Sequence, residues 1–193
     1  TKALTQGPEM TTKLLNQSNI FTRDSNGNTP LHLAVLCASP STVAENSDNK
    51  ATPDTLIENM EYMVALNSEI NARNKNGDTP LSLAVQRNIK KAGEFLLSRG
   101  ADVFSTNNDD YSPLRLALED KSGDKTWLLS SQVIKATDGS GNTPLHYSAE
   151  WGLSEAISLL IEKGADPNAK NANGETALYN AVKSNDPNLV NAL

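Results

Sequence analysis

Two side chains in this 193-residue sequence are imidazoles, His32 and His146, and any general-base or metal-binding chemistry would start from them. Both stand at the same place in a recurring phrase, TPLHLA at Thr29 to Ala34 and TPLHYS at Thr143 to Ser148. At ~10 Å per helix layer, three steps of repetition put the rings about 30 Å apart. They share neither a metal nor a catalytic triad. Ser122 to Thr126 (SGDKT) ends like a phosphate loop, but the earlier glycine, the Gly-Lys pair and a preceding strand are missing. It reads as a turn beside a shortened helix. No Gly-x-Ser-x-Gly, Cys-x-x-Cys or His-Glu-x-x-His spacing occurs. Asn16-Gln17-Ser18 is a lone glycosylation triplet, relevant only to a secreted chain. The residues therefore predict no catalytic site, no metal site and no cofactor.

The elements that position these residues form a series. The phrase returns as TPLSLA at Thr79 to Ala84, SPLRLA at Ser112 to Ala117 and TALYNA at Thr176 to Ala181. The five copies are spaced by 50, 33, 31 and 33 residues, so the chain is a stack of small units. Asn-Gly in NKNG (Asn74 to Gly77) and NANG (Asn171 to Gly174) supplies the positive-φ positions of a tight hairpin tip. Thr143 can cap the following helix, and Pro144 suits its first position. Gly152, like Asn88 and Asn185, ends a first helix in a left-handed conformation. Ala156, Ile157, Leu159, Leu160 and Ile161 form the apolar stripe of a second helix, closed by Gly164. Helix pairs are expected at 29–36 and 55–66, 79–87 and 89–98, and 143–150 and 153–162. One unit cannot bury both helices, so stability comes from packing between neighbours.

DGSGNTPLHYSAEWGLSEAISLLIEKGADPNAK, Asp138 to Lys170, resembles an ankyrin repeat over its whole length, and Asn74 to Thr106 resembles one nearly as well. The resemblance implies an all-α repeat solenoid of helix-turn-helix units with β-hairpin tips. It implies a single domain over 1–193, with repeats at 24–73, 74–106, 107–137, 138–170 and 171–193. The first repeat carries an insertion at 38–54, the third is two residues short, and the fifth is incomplete. Residues 9–23 align with a capping helix and exit strand. The polar insertion reads as a solvated loop, with a second contact site as the alternative. The apolar LVNAL ending leaves the last unit without a polar cap, consistent with a fragment of a longer array or with end-to-end self-association. In this family the phrase histidine receives the Thr hydroxyl and braces the next hairpin.

The ankyrin resemblance also implies a concave binding face, made from hairpin tips and exposed positions of first helices. From successive repeats this face takes Arg73, Lys75, Asp78, Gln86 and Arg87, then Asn108, Asp109, Tyr111, Glu119 and Asp120. It then takes Asn142, Glu150 and Trp151, and finally Lys170, Glu175 and Lys183. Trp151 is the residue to single out, because the fold requires no bulk there and Trp and Tyr are enriched among interface anchors. Lying flat on its neighbours is its alternative role. Trp127 aligns with Leu96 and Leu160 and reads as core. The candidate partner-binding residues are Trp151, Tyr111, Arg73, Arg87, Asp109, Glu119, Asp120 and Glu150. Their charges are uneven. Residues 70–100 hold six basic and two acidic side chains, and residues 101–125 hold three and six. Such a dipolar face would orient a partner, unless the charges pair among themselves.

Composition agrees. The sequence is 37% hydrophobic but only 5% aromatic, which suits a core of Leu, Ala, Val and Ile. A net charge of −6 argues against nucleic-acid binding through phosphates. No apolar run approaches membrane-spanning length. Cys37 is the single cysteine, so no internal disulfide forms and a reducing, cytoplasmic compartment is the default. The expectation is a non-enzymatic module that binds another protein. The competing reading is the recognition segment of a larger enzyme or channel.

Overall fold

The computed structural model describes residues 19–38 and 53–193. Most of the 9–23 capping segment and nearly all of the 38–54 insertion lie outside the described residues. The chain falls into two compact units, one ending at Pro113 and the other spanning Leu114–Leu193. No strand occurs among the described residues.

The first unit contains α1 (Pro30–Cys37), α2 (Pro53–Ala65), α3 (Pro80–Gln86) and α4 (Lys90–Ser98). Helix α1 packs on α2 and α3, while α4 packs on α2 and α3. Their meeting faces bury Leu31, Val35, Met60, Met63, Leu81, Val85 and Leu96 completely. The second unit contains α5 (Pro113–Leu118, its first residue ending the first unit), a 3-10 turn (Thr126–Leu128) and α6 (Ser131–Ile134). It continues with α7 (Pro144–Glu150), α8 (Ser154–Glu162), α9 (Ala177–Lys183) and α10 (Pro187–Ala192). Its core is Leu114, Leu128, Leu145, Ile157, Leu160 and Leu189.

Local chemistry explains where each helix starts and stops. Thr79 is extended at the N-cap of α3, and its Oγ1 accepts from the Ser82 N–H at 3.1 Å. Ser82 Oγ accepts from the Thr79 N–H in return at 2.8 Å, so two orphan donors are satisfied reciprocally. The first helices end on positive φ at Asn88 (53°), Gly152 (74°) and Asn185 (56°). There the chain turns back: the Ile89 N–H bonds the Ala84 carbonyl at 2.8 Å, and Leu153 bonds Ser148 at 2.9 Å.

The hairpin tips are hydrogen-bonded turns too short for strands. In each, an Asp or Asn side chain takes two backbone N–H groups, as Asn74 Oδ1 does from Asn76 and Asp78, both at 2.9 Å. Asp24, Asn107, Asp138 and Asn171 repeat this arrangement. The third tip lacks glycine, and Asp110 takes the left-handed φ of 62° in its place. Adjacent tips are tied through the backbone: Lys75 donates to Asn26, Asn108 to Asn76, and Ala172 to Ser140, each at 2.9 Å.

Two expectations need correction. Trp127 is only half-buried, and Leu128 and Leu129 enter the core instead. The short third repeat replaces a full second helix by the 3-10 turn, which changes the facing of each side chain. Asp78, expected on the exposed face, is 5% exposed. Its carboxylate accepts from Gln86 Nε2 at 2.9 Å and from Asn107 Nδ2 at 3.0 Å, which compensates its burial.

Candidate partner-binding face

The histidines are committed to the scaffold. The backbone N–H of Thr29 donates to His32 Nδ1 at 3.2 Å, so Nδ1 is unprotonated and also lies 2.8 Å from the Thr29 hydroxyl. Nε2 then carries the proton and donates to the Asp78 carbonyl at 2.9 Å, in the next hairpin. His146 copies this, with the Thr143 N–H at 3.2 Å, the Thr143 hydroxyl at 2.8 Å and the Glu175 carbonyl at 3.0 Å. Both ring nitrogens of each are used, as the family pattern implies. Burial holds the His32 imidazole below its ordinary pKa, although its bond to the Asp78 carbonyl opposes that. Among the described residues, no cluster of His, Cys, Asp and Glu could hold a metal ion.

A chain of contacts runs along α7 in the second unit. Asp138, at the hairpin tip, accepts from the Tyr147 hydroxyl at 2.7 Å. Tyr147 stacks on Trp151, one helical turn later, with ring centroids 4.9 Å apart and planes inclined by 29°. The i, i+4 spacing on one helix produces that stack. The Arg115 guanidinium, from α5, lies 5.5 Å from the centroid of the Trp151 ring. Arg115 Nε in turn donates to Glu119 Oε1 at 2.8 Å. Trp151 is half-buried and Glu150 beside it is exposed. Burial raises the Asp138 carboxyl, but bonds from Tyr147 and Asn142 outweigh it and hold the group below the usual carboxylate range. Burial, then the bond to Asp138, pushes the Tyr147 phenol well above its ordinary value.

Of the residues expected from sequence, Trp151, Glu119 and Glu150 therefore fall around one cluster. Asp120 is half-buried, bonded to Ser122 and Lys125. Burial raises its carboxyl, yet those bonds leave it below the usual range. In the first unit, Arg73, Arg87, Asp109 and Tyr111 are exposed. Arg87 Nη2 lies 3.5 Å from the Ala38 carbonyl, and the Arg73 carbonyl accepts from Arg23 at 2.6 Å. Sequence reasoning missed Tyr147, Arg115 and Asp138. The i, i+4 pairs Tyr147–Trp151 and Arg115–Glu119 were the available signal. So was Arg115 itself, which stands where the first and fourth repeats carry histidine.

Residues 76–108 match the ankyrin repeat model, and residues 125–193 match the model of three ankyrin repeats. The chain is 36% identical over 110 residues to a putative ankyrin repeat protein, FPV223, of fowlpox virus, covering 55% of this chain and 76% of that one. The chain belongs to the ankyrin-repeat family. It is also 30% identical over 181 residues to the B-cell lymphoma 3 protein homolog of Mus musculus, covering 88% of this chain and 37% of that protein. The crystal structure of the ankyrin repeat domain of Bcl-3 superposes with a TM-score of 0.57 at 22% identity, over 96% of this chain and 74% of that one. The chain spans little more than a third of the mouse protein and less than a tenth of several other curated relatives. Ankyrin repeats are in general non-enzymatic modules of protein–protein interaction. Among the described residues, no helix is long and apolar enough to cross a membrane.

Proposed function

We propose that this chain is a non-enzymatic ankyrin-repeat domain that binds a protein partner through the concave side of its repeats, with Trp151 as anchor. The observation that carries this reading is the Tyr147–Trp151 stack with Arg115 against it. A Trp held between packed neighbours loses little freedom on binding, which limits the entropic cost of association. Glu119, Asp120 and Glu150 supply an acidic rim, which acts mainly on association rate. Arg73, Arg87, Asp109 and Tyr111 are the corresponding contributions of the earlier repeats. The five repeats, 24–73 to 171–193, act as one domain in this reading. It holds equally if the chain is the recognition segment of a larger enzyme or channel, which its small share of several relatives favours. The test is affinity capture with wild-type chain and Trp151→Ala, matched for circular dichroism. A partner held by both equally would overturn the assignment of Trp151.

A second reading rests on a separate observation. Leu178, Tyr179, Val182 and Val190 are exposed on α9 and α10, at 43%, 51%, 61% and 38%. This is the surface through which two copies would associate end to end. Sedimentation equilibrium over a concentration series tests it: a monomer throughout excludes self-association.

A further inference from the structure

Adjacent hairpin tips meet edge to edge, and the two edges differ. The earlier tip offers a backbone carbonyl and the later tip an N–H. The carbonyls of Asn26, Asn76 and Ser140 accept from Lys75, Asn108 and Ala172 of the next tip, each at 2.9 Å. Glycine makes room for that approach. A Cβ on Gly27, Gly77 or Gly141 would lie 3.0, 2.9 or 3.0 Å from those same three backbone nitrogens. Asn173 and Gly174 repeat this chemistry in the last tip. Yet no described residue donates to the Asn173 carbonyl, and a Cβ on Gly174 would meet nothing within 4 Å.

The helices behind that tip show the same unfilled register. In the first repeat, α1 is covered by α3 and α2 by α4, and Leu31, Val35 and Met60 are buried. In the fourth, α7 is covered by α9 and α8 by α10, and Leu145, Ala149 and Ile157 are buried. The fifth repeat carries Leu178, Val182 and Val190 at these three positions, and all three are exposed. Tyr179 stands where the first and fourth repeats have His32 and His146, whose Nε2 donates to a carbonyl of the next tip. Its phenol places an O–H donor there, also exposed.

We propose that this face is one half of a repeat-stacking contact, and that a sixth hairpin-and-helix-pair repeat of the same polypeptide fills it. The inference rests on the second reading above, which makes this surface a contact face, and it names a different occupant. The carbonyl edge decides between the two. Two copies meeting symmetrically through α9 and α10 would set one Asn173 carbonyl against another, acceptor facing acceptor. A following repeat brings the N–H that this edge lacks and a backbone that fits beside Gly174. It also brings a carbonyl for the Tyr179 hydroxyl and an apolar helix pair for Leu178, Val182 and Val190. In the three tip pairs described, that complement comes from the next repeat along the chain. Covalent linkage also removes the entropic cost of bringing two molecules together.

The test is amide hydrogen exchange, read by mass spectrometry, on the 193-residue chain and on the whole polypeptide isolated from its source. In the 193-residue chain, residues 177–183 should exchange about tenfold or more faster than the equivalent residues 144–150. In the whole polypeptide the two stretches should be protected alike at every concentration. A tandem form probes the face itself. Leu193 stands 33 residues after Leu160, so appending a second copy of residues 161–193 continues the period. That form should slow exchange at the first 177–183 about tenfold and raise the urea midpoint. Gly174→Ala should lower the midpoint more in the tandem form than in the 193-residue chain, because only there would the Cβ meet backbone. Val182→Glu, with folding checked by circular dichroism, should abolish the slowing. Unchanged exchange in the tandem form, equal effects of Gly174→Ala in both forms, or 177–183 unprotected in the whole polypeptide would each overturn the proposal. So would protection of 177–183 that appears on concentrating the 193-residue chain alone, since a second copy would then be the occupant and the second reading would stand.

Discussion

The second and fourth repeats are close to the same sequence template, yet they present different surfaces. In the second, α4 is backed by a full helix, α2, and Phe95 is buried with Arg99 4.9 Å from its ring centroid. In the fourth, α8 follows a repeat whose second helix has shrunk to a turn, and Leu153 and Leu159 remain half-exposed. In a repeat protein the neighbour decides what is core, because each unit buries its apolar face only against the next. The same template therefore gives a closed layer in one place and an open one in another.

The sharpest probe of this difference is a matched pair of truncations. Phe95→Ala should destabilise by about 3 kcal/mol, as buried aromatics do. Leu159→Ala, at the equivalent position, should cost about 1 kcal/mol, because less area returns to water. Urea denaturation of both variants measures it, and equal costs would break the comparison. Next is acidification. Burial holds folded His32 below its unfolded pKa, so the neutral ring's contribution is complete above the ordinary imidazole range and declines as pH falls below it. The urea midpoint should fall between pH 7.5 and 5.5, and fall less in His32→Asn. A midpoint independent of His32 would show that the ring is not braced as described.

A smaller effect is expected at the aromatic stack. Tyr147→Phe removes the 2.7 Å bond to Asp138 and leaves the carboxylate bonded to Asn142. It should cost about 1 kcal/mol, the net worth of one hydrogen bond. No measurable change in thermal midpoint would show that water replaces the hydroxyl without loss. The smallest effect should be favourable. Asp110→Gly relieves a non-glycine residue at φ 62° and should stabilise by about 0.5 kcal/mol. Destabilisation would mean that the Asp110 side chain makes a contact that matters more than its backbone strain.

Local chemistry made much of the fold readable in advance. The Thr-Pro starts, the Asn88, Gly152 and Asn185 stops and the Thr–His braces each depend on residues within a few positions, or on the next repeat in register. Asp78, Trp127 and the Trp151 cluster depend on more. Asp78 is buried because Asn107, from the following tip, reaches it. Trp127 turns out of the core because two missing residues convert a helix into a 3-10 turn. Arg115 meets Trp151 across two repeats, a pairing that neither repeat's pattern predicts. Such contacts are set by the packing of neighbours, and a template read one unit at a time does not contain them.

The most direct test of the account is a calorimetric titration of the captured partner into wild-type chain and Trp151→Ala. Thermal midpoints should agree within a few degrees, since Leu145, Ile157 and Leu160 carry the core beneath the stack. The Trp151 face predicts a loss of roughly 2 kcal/mol or more, about thirtyfold in affinity. An unchanged affinity, with binding lost instead on altering Leu153 and Leu159 or the exposed face of α9, would contradict it.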